Sequence, residues 1–73
     1  MSIAERVAMA IVARAEQNGT TVAEECRKIG ATRKNYYDWK NDCHNPQAYF
    51  LQQMVLAGYD INWILIGDSN DNK

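Results

Sequence analysis

Apolar residues recur at helical spacing along most of the chain, and the alternating pattern of a strand is almost absent. The first stripe predicts a helix over residues 3–17, and it consists of Ile3, Val7, Ile11 and Ala15. Ser2 and Glu5 form a capping-box pattern at its start. Asn18-Gly19 predicts its end, since Gly19 suits the left-handed backbone that commonly follows a helix.

The middle of this helix is apolar on more than one side. Met9 and Val12 lie well off the stripe, so residues 7–13 present apolar side chains all round. A helix of this kind has to be covered on every side. We expect the cover to come either from the rest of the domain or from another subunit.

Two short helices follow, with a brief connection between them. Thr21 opens the first of these, residues 22–29, with a second capping-box pattern. Gly30 ends it, and Thr32 is a suitable N-cap for the next helix, over residues 33–41. So short a connection favours two helices that cross at a steep angle.

The second half of the chain predicts a longer apolar helix over residues 46–57. Asn45 is its expected N-cap, and Pro46 suits the first helical turn because proline needs no hydrogen-bond partner there.

A short fifth helix completes the pattern. Asp60 or Asn62 opens it, and Gly67 ends it. We therefore predict a compact all-α domain over residues 1–67, followed by a polar tail at 68–73 that we expect to be frayed.

Charge is distributed unevenly along these helices. The chain has 73 residues and a net charge of −1, which argues against indiscriminate binding to nucleic acid. Five of the eight Lys and Arg residues nevertheless fall between Arg27 and Lys40, where Asp38 is the only acid. A near-neutral total can therefore conceal a basic face, with Tyr36 and Trp39 anchoring its helix to the core.

The sequence offers little support for a metal site, an enzyme or a membrane protein. Cys26 and Cys43 lack metal-ligand spacing, and with a single histidine they do not make a four-ligand zinc site. No nucleophile–base arrangement or phosphate-binding loop is visible. We expect no cofactor, reduced cysteines, no membrane span and a cytoplasmic location.

The second and third helices, with the turn that begins at Gly30, resemble a helix-turn-helix. Cys26 supplies the small side chain that the crossing of the two helices needs. Residues 57–68, AGYDINWILIGD, look like the end of helix 4 and helix 5 in the lambda-repressor-like family, above all in temperate-phage repressors. The resemblance covers roughly residues 20–68 and implies a five-helix DNA-binding domain of phage or prophage origin.

The resemblance implies that the third helix enters the major groove of double-stranded operator DNA. Arg or Lys can bridge guanine O6 and N7, and Asp can accept from cytosine N4. The implied base-reading residues are Arg33, Lys34, Tyr37 and Asp38. The implied phosphate-contacting residues that flank the helix are Thr32, Lys40 and Asn41.

Three positions depart from the family pattern. Glu25 stands where an aliphatic residue is usual, so either it pairs with Arg14 or the second helix packs differently. Val22 replaces a glutamine that often contacts phosphate. Asp42 replaces a glycine that often follows the recognition helix, and its charge would repel phosphate.

The chain ends just after the fifth helix, so we expect self-association to come from the helical domain itself, as a homodimer or higher oligomer. There are two candidate contact surfaces: the surplus apolar face of the first helix, with Met9 and Val12, and the fifth helix, with Ile61, Ile64 and Ile66. Release from DNA would then need a separate protein, such as an antirepressor. The alternative function is a protein-interaction module on the same scaffold, acting as an anti-repressor or as a toxin-neutralising partner.

Overall fold

The computed structural model describes residues 1–67, which form five α-helices and no strand. The helices are α1 (Ile3–Asn18), α2 (Val22–Lys28), α3 (Arg33–Lys40), α4 (Ala48–Leu56) and α5 (Ile61–Ile66). The all-α, five-helix prediction is therefore confirmed, whereas the predicted tail at 68–73 lies outside the described residues. None of the described helices is long and apolar enough to cross a membrane.

The ends of α1 follow the predicted capping chemistry. The hydroxyl of Ser2 accepts a hydrogen bond from the Glu5 amide at 3.1 Å, and the Glu5 carboxylate accepts one from the Ser2 amide at 2.9 Å. Gly19 closes the helix with a φ of 67°. Both ends of the helix are therefore satisfied by local residues, as the sequence predicted.

The core is built around α1, which packs against α2, α3 and α5. Its predicted stripe is buried at Val7, Ile11 and Ala15, with Val7 and Ile11 fully inaccessible to solvent, whereas Ile3 is only partly buried. The same buried cluster includes Ile29, Trp39, Met54 and Ile64 from the other helices and their connections. The opposite side of α1 is not covered, since Met9 is 49% exposed.

Arg6 fastens the end of α5 to α1. Its Nε donates to the Ile64 carbonyl at 2.7 Å and its Nη2 donates to the Leu65 carbonyl at 3.2 Å. Gly67 follows α5 with a φ of 83°, and a Cβ at that position would lie 3.0 Å from Arg6 Nη1. The guanidinium thus satisfies carbonyls that the helix end leaves without partners.

The turn between α2 and α3 is held by backbone hydrogen bonds and by α4. Gly30 has a φ of 76°, and the Ala31 amide donates to the Cys26 carbonyl at 2.9 Å. Cys26 is 1% exposed, as its predicted position at the helix crossing requires. Tyr49 of α4 covers the turn, because a Cβ on Gly30 would lie 3.0 Å from the Tyr49 hydroxyl.

The predicted start of α4 is wrong by two residues. The helix begins at Ala48 with Gln47 as its N-cap, and that cap makes no side-chain hydrogen bond. Asn45 therefore does not cap the helix, and Pro46 is buried ahead of it instead of forming its first turn. A residue before proline is driven to extended backbone, which favours a connecting segment at this point.

Glu25 does not pair with Arg14. Its buried carboxylate accepts hydrogen bonds from Thr20 Oγ1 at 2.5 Å and Lys28 Nζ at 3.1 Å. The hydrogen bond from Thr20 is the main reason that the pKa of Glu25 lies below its usual value. Arg14 instead lies over the Tyr59 ring, 4.1 Å from its centroid.

Candidate nucleic-acid interface

One side of α3 is fixed in the core, which determines what its other side presents to solvent. Tyr36 is 9% exposed and Trp39 is 3% exposed, as predicted for the anchoring residues. The Trp39 ring meets Phe50 edge to face, with centroids 5.2 Å apart. Burial also raises the pKa of the Tyr36 hydroxyl above its ordinary value.

A capping box also sets the start of α3. Thr32 Oγ1 accepts from the Asn35 amide at 3.1 Å, and the Asn35 side-chain oxygen accepts from the Thr32 amide at 2.9 Å. The sequence predicted Thr32 as the cap, but not the reciprocal bond from Asn35. Six of the seven predicted DNA-contacting residues are exposed here: Thr32, Arg33, Lys34, Tyr37, Lys40 and Asn41.

The exposed side chains form two separate stripes. Arg33, Tyr37 and Lys40 make the first, at helical spacings of four and three residues. Together they line a groove of about 470 Å³ with the first turn of α2, including Val22. We call these three residues the α2-side stripe.

Lys34 and Asp38 make the second stripe, which lies towards the connection to α4. Their side chains form an ion pair at 2.9 Å, one helical turn apart. His44 Nε2 also lies 3.7 Å from the same Asp38 oxygen. The Asp38 side chain is only 22% exposed, so it is already engaged by other side chains and is less available to a base edge than the sequence implied.

The two stripes therefore differ in available charge. Among residues 1–67, no carboxylate lies within 4.0 Å of the cationic groups of Arg33 or Lys40. The Lys34 ammonium is partly offset by Asp38. An incoming anion would consequently meet the least compensated positive charge on the α2-side stripe.

Asp42 occupies a position whose backbone suits glycine. Its φ is 58°, and it is the only residue other than glycine with positive φ among the described residues. Its amide donates to the Trp39 carbonyl at 3.0 Å, which helps to close α3. Aspartate tolerates this left-handed backbone better than most residues, so the turn forms here without glycine.

The residues of the two predicted self-association surfaces differ in their exposure to solvent. Met9 is 49% exposed and Val12 is half-buried, while Ile66 is 71% exposed. Ile61 is half-buried against the core. Ile64 is fully buried, so its assignment to an interface is wrong: α5 turns this side chain inward, towards α1.

Other exposed apolar side chains were missed. Leu56 is 75% exposed near the end of α4, and Leu65 is 42% exposed on α5. Leu56 follows the buried Met54 by two residues, or about 200° around the helix, so its outward position could have been read from the sequence. The proximity of His44 to Asp38 had no such sequence signal.

Compared with known proteins, the chain matches no family model, no curated protein and no solved structure. Function therefore has to be inferred from the residues of α3 and from the geometry around them.

Proposed function

We propose that this protein binds double-stranded operator DNA through α3 and represses transcription by occupying the operator, as lambda-repressor-like proteins of temperate phages do. The observation that supports the proposal most is the α2-side stripe. Arg33 and Lys40 stand uncompensated on a helix whose other side is locked into the core by Trp39. A rigid helix with two exposed cations and an aromatic between them suits a DNA groove lined with phosphate.

The proposed roles divide between the two stripes. Arg33 lies in the first turn of α3, where side chains of an inserted helix reach base edges, and it can bridge O6 and N7 of guanine. Lys40 and Asn41 lie at the other end of α3 and contact phosphate. Lys34 forms an ion pair with Asp38, so it contributes less to the affinity for DNA than Arg33 does.

We propose that the protein acts as a homodimer, because one short helix-turn-helix contributes few contacts. The exposed apolar side chains of Leu56, Leu65 and Ile66 lie on α4 and α5, two helices that pack against each other. Their burial against a second copy would remove apolar surface from water. The fully buried Ile64 takes no part in this contact.

A selection from random duplex DNA tests the proposal directly. The wild type should enrich a palindromic sequence, and Arg33→Ala should lose the enrichment. Arg27→Ala is the matched control, since it removes one cation outside α3 and should enrich the same sequence. If a folded wild-type protein enriches no sequence, the proposal is refuted.

A protein-interaction module is the second candidate, favoured by the exposure of Met9 on α1. Salt dependence separates the two functions. DNA binding weakens steeply as salt rises, with a slope set by the number of phosphates contacted. Binding to an apolar surface changes little over the same range of salt.

A further inference from the structure

The uncovered side of α1 forms one wall of an open groove. The apolar part of this α1 wall consists of Ala8, Met9, Val12 and Ala13, and α3 lines the other side of the groove with Tyr36 and Lys40. The volume of this groove is about 740 Å³. The small alanine side chains of α1 leave space for a partner to approach the helix closely.

The α1 wall is acidic at both ends. Glu5 and Glu16 line the groove eleven residues apart, which is about 16 Å along a helix. The Glu5 carboxylate is held by the Ser2 amide at 2.9 Å. Within residues 1–67, no cationic group lies within 4.0 Å of the Glu16 carboxylate.

This charge pattern disfavours a second copy of the chain as the occupant. A twofold axis between Met9 and Val12 would set the two α1 helices antiparallel, with residue i facing residue 21−i. Glu5 of each copy would then face Glu16 of the other. Both ends of such a contact would bring like charges together, which opposes association.

We propose that the groove binds one amphipathic helix of a partner protein, with an apolar stripe over Met9 and Val12 and basic side chains near Glu5 and Glu16. Binding of a helix in an apolar groove through anchors at i, i+3 or i+4 and i+7 is a common mode of recognition. About eleven residues of partner helix span the distance between the two carboxylates.

The same groove touches the DNA-binding side of the protein. Lys40 lines both this groove and the groove beside α2. A helix seated against Lys40 would therefore compete with DNA for that side chain. This consequence rests on the proposed function, whereas binding of the helix does not.

Synthetic stapled 14-residue helices provide the probe, without any DNA in the assay. All carry the same leucine stripe and differ only at the two end positions, which are Lys, Gln or Glu. Fluorescence anisotropy at low salt should rank them Lys, then Gln, then Glu, with about three- to tenfold between the extremes. Met9→Asp should abolish binding of all three.

Glu16→Lys is the decisive variant, because it alters an exposed residue outside the core. The advantage of the Lys peptide over the Glu peptide should disappear in it. Three results would overturn the proposal: no binding to the wild type at millimolar peptide, a peptide ranking that Glu16→Lys leaves unchanged, or a dimer that Met9→Asp dissociates. A negative DNA selection with positive peptide binding would remove the proposed function and leave this inference standing.

Discussion

Two isoleucines on α5 offer a direct test of how this helix is oriented. Ile64 is fully buried and Ile66 is 71% exposed, because two residues correspond to about 200° around a helix. Truncation of a fully buried isoleucine to alanine costs about 2–5 kcal/mol, because apolar burial is lost and a cavity remains. A domain of 73 residues has a total stability of roughly 4–11 kcal/mol, so Ile64→Ala removes a large share of it.

The control variant, Ile66→Ala, should change the stability of the monomer by no more than about 0.5 kcal/mol. Each kcal/mol corresponds to about 4–8 °C in Tm for a domain of this size. Thermal unfolding at low protein concentration should therefore show a loss of at least about 8 °C for Ile64→Ala, and under about 4 °C for Ile66→Ala.

The same pair of variants tests the proposed dimer. Ile66→Ala should weaken self-association in light scattering at high concentration while changing the monomer's Tm by less than about 4 °C. The orientation of α5 would be refuted if Ile66→Ala cost as much as Ile64→Ala at low concentration. The dimer surface would be refuted if Ile66→Ala left the oligomeric mass unchanged, or if the wild type were a monomer throughout.

Three further perturbations test the remaining contacts. The pKa of Glu25 is lowered in the folded state, mainly by the hydrogen bond from Thr20, so its contribution to stability is present above the ordinary pKa of a glutamate and is lost as the pH falls through the folded-state pKa. Glu25→Gln should therefore reduce the fall in the free energy of unfolding with decreasing pH in the acid range, and an equally steep fall in the variant would contradict this. The slope of the logarithm of the DNA-binding constant against the logarithm of salt concentration should become shallower when Lys34 is replaced by alanine. The change should be less than about 0.9 in the wild type and about 0.9 in an Asp38→Ala background. Equal changes in both backgrounds would show that the ion pair with Asp38 does not restrain the lysine. Gly30→Ala should cost about 1–2 kcal/mol in chemical denaturation from its left-handed backbone, with an added cost from the Tyr49 hydroxyl that disappears in a Tyr49→Ala background; an identical cost in both backgrounds would exclude the contact.

Local patterns in the sequence predicted the elements of the fold well. The caps at Ser2, Thr21 and Thr32 all form, because each depends on residues only three positions apart. Gly19 likewise adopts the expected left-handed backbone. These caps are decided within one helical turn, whereas the cap expected at Asn45 was wrong because α4 begins two residues later than the sequence predicted.

Predictions that depended on which residues meet in the folded chain were less successful. Arg14 was a reasonable partner for Glu25 by charge, but the fold places Thr20, Asn18 and Lys28 around that carboxylate instead. The sequence contains the charges without showing which helix faces which. The sequence likewise does not show which side of a short apolar helix faces the core, and the buried position of Ile64 is an example.

The distribution of charge on α3 also depends on the fold, and it bears on the proposed function. From the sequence, Arg33, Lys34 and Lys40 are three cations on one helix whose neighbours are unknown, and the resemblance implies that Asp38 is a further base-reading residue. In the fold, Asp38 lies between Lys34 and His44, so one lysine is partly neutralised while the other two cations remain uncompensated on the side towards α2. A chain with a net charge of −1 can thus offer DNA a narrow positive stripe instead of a broad basic surface. Nonspecific affinity for DNA grows with the number of phosphates that a protein neutralises. Under the proposed function, a narrow positive stripe therefore favours selective binding over indiscriminate binding.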